Sequence, residues 1–211
     1  MGVSQSSSLG VYWQPATAAG VCITVEAIDV CIEGIAFMGD GGGTGIHAVW
    51  ATDGEGDNLT VRHCFFDEVL TYGITLDESW YCDIHHNQFD HSDYGIYTDP
   101  VGMTSPAYGQ IYRNFFNTCD VSAISLEDAD RMHIYENSIY NVDAAAGAAG
   151  TVANCLIDLT NGSRNQVHHN TLPCVLPAAV AWDYNATCTG NANDAWVSNW
   201  LRDGPSVTNP T

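Results

Sequence analysis

Seven segments of this chain repeat one short core: an apolar residue, two variable residues, a fixed slot, one more residue and a second apolar residue. In five copies the slot is asparagine: Ile84 to Phe89 with Asn87, Ile111 to Phe116 with Asn114, Ile134 to Ile139 with Asn137, Val167 to Leu172 with Asn170, and Trp196 to Leu201 with Asn199. Two earlier copies, Ile32 to Phe37 and Val61 to Phe66, carry Ile35 and Cys64 there. The anchors step by 29, 23, 27, 23, 33 and 29 residues. An irregular period in the twenties is the mark of a solenoid, whose units bury their apolar faces only against one another.

Each unit has a second signature downstream: Gly45-Ile46-His47-Ala48, Gly73-Ile74-Thr75-Leu76, Gly95-Ile96-Tyr97-Thr98 and Ala123-Ile124-Ser125-Leu126, with later copies at Leu156 to Leu159 and Ala181 to Tyr184. The alternation has period two, so it predicts strands with Ile and Leu inward and Thr75, Tyr97, Ser125, Asp158 and Asp183 outward. Upstream pairs such as Leu59/Val61, Cys82/Ile84 and Met132/Ile134 alternate likewise, and no window reads as a helix of ten or more residues. At a tight bend asparagine tolerates left-handed backbone angles, and its amide can donate and accept along the stack. A leucine-rich repeat has a similar core, but its leading leucine would fall at Gly56, Ser79, Pro106 and Ala129. The fold expected is therefore all-β: a right-handed parallel β-helix of about seven coils with an asparagine ladder. It would occupy residues 21–201, after a lead-in or cap segment at 1–20 and before a C-terminal tail at 202–211.

These repeats resemble those of the right-handed parallel β-helix superfamily, which includes pectate lyases, polygalacturonases and bacteriophage tailspikes. More narrowly, Ile32 to Phe37, Tyr72 to Leu76 with Ser79 to Cys82, and Asp203 to Thr211 resemble segments of β-helix virion proteins of tailed phages. The resemblance implies a virion component. It does not extend to the enzymes' motifs: the polygalacturonase set has no match, and no lysine exists to complete its Arg-x-Lys. Pectate lyases use an arginine base beside acidic calcium ligands, and Arg62, Arg113, Arg131 and Arg164 fall in no such motif.

Charge narrows the partners further. The chain has 25 acidic residues against five Lys and Arg together, a formal charge of -20 over 211 residues. Nucleic acid, which needs clustered cations, is not an expected partner, and an anionic polyuronate would be repelled; a neutral glycan would not. No apolar run is long enough to span a bilayer, so membrane insertion is not expected. The start lacks the basic and apolar parts of a signal peptide. Eight cysteines show no metal-ligand spacing and are expected to be mostly free, buried thiols, with a Cys174–Cys188 bridge as the exception to consider.

Chemistry on such a scaffold would sit on a sheet's outer face and in the turns flanking it. Asp77, Asp99, Glu127 and Asp128 follow the Gly-Ile strands of consecutive coils, so they are the candidate catalytic carboxylates for glycoside hydrolysis. Asp77, Glu78 and Asp99 are equally candidate calcium ligands, and calcium is the only cofactor considered. Solvated turn residues are the plainer reading of all five. His63, His86 and His169 precede the ladder slot and are expected to cap turns as neutral rings. Tyr97, Tyr112 and Tyr135 are expected to point outward, stacked in register, as a surface for glycan or partner.

A solenoid must cover its end coils, and no amphipathic capping helix is evident. The sequence thus predicts a structural virion protein of phage type, a capsid decoration or tail-spike-like homotrimer, on the virion surface and touching other virion proteins and host-surface glycans. The first two coils, lacking the slot asparagine, are the expected docking end. Two alternatives stand beside it: an extracellular polysaccharide hydrolase or lyase using the acidic turns, and a calcium-stabilised extracellular adhesin.

Overall fold

Strands of two to six residues, too short to form a stable hairpin alone, bury their apolar faces by stacking on equivalents one coil away. The computed structural model describes residues 12–17, 19–39, 42–48, 56–67, 70–77, 79–98, 106–117, 119–140, 155–173, 188–189, 195–197 and 200–202. Every strand pairing in it is parallel, and the chain lays down three sheets of eight, seven and seven strands. One coil runs from the anchor sheet (Asp83–His85) through the asparagine corner to the second sheet (Gln88–Asp90), then to the Gly-Ile sheet (Tyr94–Tyr97). The next coil repeats the path from Gln110–Tyr112. The leucine-rich-repeat alternative, with a single strand column, is excluded by the three columns.

Register follows the sequence repeat. Ile32, Val61, Ile84, Ile111, Ile134, Val167 and Trp196 align in the anchor sheet. Ile23, Ile46, Ile74, Ile96, Ile124 and Ile157 align in the Gly-Ile sheet. The last strand of that sheet is Cys188–Thr189, paired with Leu159–Thr160; it lies downstream of the copy expected at 181–184, which falls outside the described residues. Tyr12–Trp13, within the segment expected as a lead-in, pairs with Ala36–Phe37 as a strand of the second sheet.

The corner asparagines form the ladder. Asn114 Nδ2 donates to Ile84 O at 2.9 Å and to Asn137 Oδ1 at 3.1 Å. Its own Oδ1 accepts from Asn87 N and Asn87 Nδ2, both at 3.0 Å. Asn137 and Asn170 continue the pattern, and all four described ladder residues are buried. Asn199 lies outside the described residues. Cys64 completes the column: its N–H donates to Asn87 Oδ1 at 2.9 Å, while its Sγ sits 3.8 Å from Ile32 O, where a ladder amide would donate. One expectation is corrected. The residue before the slot, not the asparagine, takes the left-handed backbone: Gly34, His63, His86, Arg113, Glu136 and His169 have φ between 53° and 72°. A left-handed residue turns the chain sharply, which leaves the asparagine free to aim its amide into the stack. Asn165, outside the repeat core, does similar work at another corner: its Nδ2 donates to Ala129 O and its Oδ1 accepts from Met132 N, both at 2.9 Å.

Phe37, Phe66, Phe89 and Phe116 stack through the centre, with ring centroids 5.0, 4.7 and 4.7 Å apart. This column explains the glycines of the Gly-Ile strands. A Cβ on Gly45, Gly73 or Gly95 would stand 2.7–2.9 Å from the ring of Phe66, Phe89 or Phe116 respectively. In the next coil Ile139 occupies the phenylalanine position, and Ala123 stands where the glycine was.

The thiol reading holds for the described residues. Cys22, Cys31, Cys64, Cys82 and Cys119 are free, and the last three are buried. Cys31 is a correction: as the first residue of its strand it faces outward and is exposed. Burial pushes the Cys82 thiol up to about 12 and raises Cys119 and Cys64 as well. Because the thiolate is the nucleophile, Cys31 is expected to alkylate in the native protein at least about tenfold faster than Cys64, Cys82 or Cys119, whose modification should await unfolding. Peptide mapping after a timed iodoacetamide pulse checks this; equal labelling would refute the packing described. Cys174 lies outside the described residues.

Candidate binding site

The outer faces decide what the scaffold can hold. On the anchor sheet the outward column is Glu33, Arg62, His85, Tyr112, Tyr135 and His168. Tyr112 and Tyr135 stack as expected, 4.9 Å apart and 2° from parallel. His85 covers the far side of Tyr112 at 4.9 Å, and His168 that of Tyr135 at 5.2 Å. The ring faces are thus consumed within the column, and Tyr135 OH donates to Gln110 Oε1. Burial, then the nearby Asp83 carboxylate, raises both phenols. Tyr97 does not join this column, because it belongs to the Gly-Ile sheet; there its ring lies 4.6 Å from Tyr72 and 4.6 Å from Tyr94. The expected three-tyrosine stripe is two separate groups.

The most accessible aromatic cluster lies at the corner entering the anchor sheet, where Trp80, Tyr81 and Tyr108 are 43, 52 and 41% exposed. Tyr81 and Tyr108 both adopt left-handed backbone, with φ of 59° and 58°, on successive coils. Their rings stack 5.4 Å apart, and Trp80 leans toward Tyr108 at 6.2 Å. Arg131, at the same corner of the next coil, places its guanidinium 4.8 Å from the Tyr108 ring centre and bonds its hydroxyl. The Trp80 backbone N–H donates to Asp57 Oδ1 at 2.8 Å. The sequence shows these aromatics, but not that a left-handed corner displays them together.

The acidic candidates are only partly assembled. Asp77 and Glu127 follow the equivalent inward residues Leu76 and Leu126, so they share one edge of the Gly-Ile sheet two strands apart, roughly 10 Å at ~4.8 Å per strand. Asp99 and Glu78 lie outside the described residues. Asp77 Oδ2 is 2.5 Å from His47 Nε2, while its Oδ1 is buried without a partner among the described residues. Glu127 receives no side-chain donor there; its backbone N–H donates to Thr98 Oγ1. Asp128 turns the chain in left-handed backbone, with its N–H on Thr160 O. Metal-ligating groups instead converge on the second sheet, at Asp67, Asp90 and His91. There His91 Nδ1 lies 2.9 Å from Asp90 Oδ1 and 3.6 Å from Asp67 Oδ1, and Asn117 Nδ2 donates to Asp90 at 2.8 Å. Asp90 is thus held by the imidazole and the amide together.

The four arginines whose side chains are described are all paired. Arg62 pairs with Glu33 at 2.8 Å, Arg113 with Glu136 at 2.7 Å, and Arg131 and Arg164 both with Asp130. Hydrogen bonding to these carboxylates raises Arg62 and Arg113 further. Among the described residues no arginine stands as a general base or an anion clamp.

A family model described as right handed beta helix region matches residues 44–200. No curated protein and no solved structure matches the chain.

Proposed function

The chain belongs to the right-handed β-helix family, and on that premise we propose that it is a structural, glycan-binding β-helix of the virion type rather than a depolymerase. The observation that carries the glycan reading is the Trp80–Tyr81–Tyr108 cluster, a solvent-facing aromatic surface beside polar Asp57, Asp130 and Arg131. Aromatic faces with a few fixed polar groups suit sugar rings, whose axial C–H faces are apolar and whose rims are hydroxylic. The -20 charge and the paired arginines favour a neutral glycan over an acidic one. The phage-like segments at 32–37, 72–76 with 79–82, and 203–211 support the virion assignment, its trimeric assembly and its surface location. Replacing Trp80 and Tyr108 together by alanine is expected to weaken binding of a neutral oligosaccharide by at least about tenfold, ~1.4 kcal/mol, at unchanged melting temperature. Calorimetry against a neutral and an acidic glycan panel tests it; binding that survives the double replacement would sink the assignment.

A hydrolase is the second reading, favoured by the short His47–Asp77 contact and the shared edge with Glu127. Product formation from the same panel that Asp77→Asn abolishes would establish it in place of the structural reading.

A further inference from the structure

Two of the asparagine corners carry a feature that neither glycan binding nor the scaffold uses. At each, a histidine in the anchor strand meets the left-handed histidine that follows it. His85 Nδ1 lies 2.7 Å from His86 Nδ1, and His168 Nδ1 lies 2.9 Å from His169 Nδ1. The rings are nearly perpendicular in both pairs, at 84° and 87°. Two Nδ1 atoms this close share a single proton, so one of them turns a bare lone pair toward the other. Asp83 places its carboxylate 4.0 Å from His85 Nε2, beyond hydrogen-bond reach.

We propose that the His85–His86 pair is a chelating site for a divalent transition-metal ion of the copper(II) or nickel(II) class, with His168–His169 as a weaker second site. The 2.7 and 2.9 Å separations are those of nitrogens sharing a proton, so each ring must turn to aim its lone pair at a common ion once that proton leaves. Among divalent ions, nickel(II) and copper(II) stand high in affinity for imidazole nitrogen. The two pairs differ in their surroundings. His63, in the preceding coil, sets its ring 5.3 Å from His86, although its nitrogens do not close a three-ligand group with the pair. The equivalent neighbour of His169 is Glu136, and the position of Asp83 is taken by Gln166. Binding replaces the shared Nδ1 proton by the metal ion and releases that proton to solvent.

Copper(II) chloride titrated into the full chain at pH 7.4, followed by calorimetry and electron paramagnetic resonance, tests the proposal. Two classes of site are expected, the tighter showing splitting from at least two imidazole nitrogens. His86→Asn, a residue that tolerates the left-handed corner, should weaken the tighter class at least tenfold and leave the weaker class intact. His169→Asn should do the reverse, with neither changing the melting temperature of the metal-free protein. A change below twofold in both variants, or loss of copper binding only on His91→Asn, would overturn the assignment.

Discussion

Replacing Asn114 by alanine is expected to remove about 3–5 kcal/mol of stability. The side chain makes four hydrogen bonds in a buried column. Its loss orphans Asn87 N–H, one Asn87 amide proton and the Ile84 carbonyl, each of which costs ~1–3 kcal/mol when left buried and unsatisfied. A neighbouring polar contact provides the contrast. Glu136→Gln breaks the exposed Arg113–Glu136 pair at the same corner, and exposed pairs are worth only ~0–1 kcal/mol. Urea denaturation of both variants reads the difference. If Asn114→Ala costs no more than Glu136→Gln, the ladder does not hold the coils together.

The second large effect comes from Gly95, whose substitution by alanine is expected to cost about 3 kcal/mol, the upper part of the ~1–3 kcal/mol range for overpacking. The added Cβ would stand 2.6 Å from Ala123 O and 2.7 Å from the Phe116 ring. Gly95 has no positive φ, so the penalty is steric, and a second substitution can relieve the part owed to the ring. The chain already contains the relieved form one coil on, where Ala123 stands opposite Ile139. Phe116→Ile should therefore be destabilising alone, yet recover a large part of the loss when combined with Gly95→Ala. A double-mutant cycle is expected to show a favourable coupling above about 1 kcal/mol. Additive costs would mean that ring and glycine do not determine one another.

Much of this architecture is legible before any coordinates. The apolar anchors and the Gly-Ile strands align in the structure as their spacing implies, because stacking in parallel register forces equivalent residues into columns. The corner conformation was misplaced by one residue. Sequence points to asparagine as the left-handed residue on propensity, whereas His86, Arg113 and Glu136 carry it. Their identities vary because that side chain faces solvent, so no pattern marks the position. The aromatic site was obscured for the same reason. Tyr112 and Tyr135 sit at regular strand positions and draw attention, but regularity is what lets them cover one another's faces. Trp80, Tyr81 and Tyr108 lie at a corner, where a left-handed turn rather than a period sets their direction. Asn165 escaped notice because it stands alone in its column, with Met132, Gly109 and Cys82 in the preceding coils.

The change from phenylalanine–glycine to isoleucine–alanine has a consequence for how the chain finds its fold. A stack of near-identical coils invites a frame error, in which a coil docks one rung too early and satisfies most of its backbone bonds. Ala123 accepts the smaller Ile139 beside it, whereas a phenylalanine in that place would press its ring into the Cβ, as the 2.7 Å distance built at Gly95 shows. The boundary between Phe116 and Ile139 thus acts as a key cut into an otherwise repetitive lock, making one docking order cheaper than its neighbours.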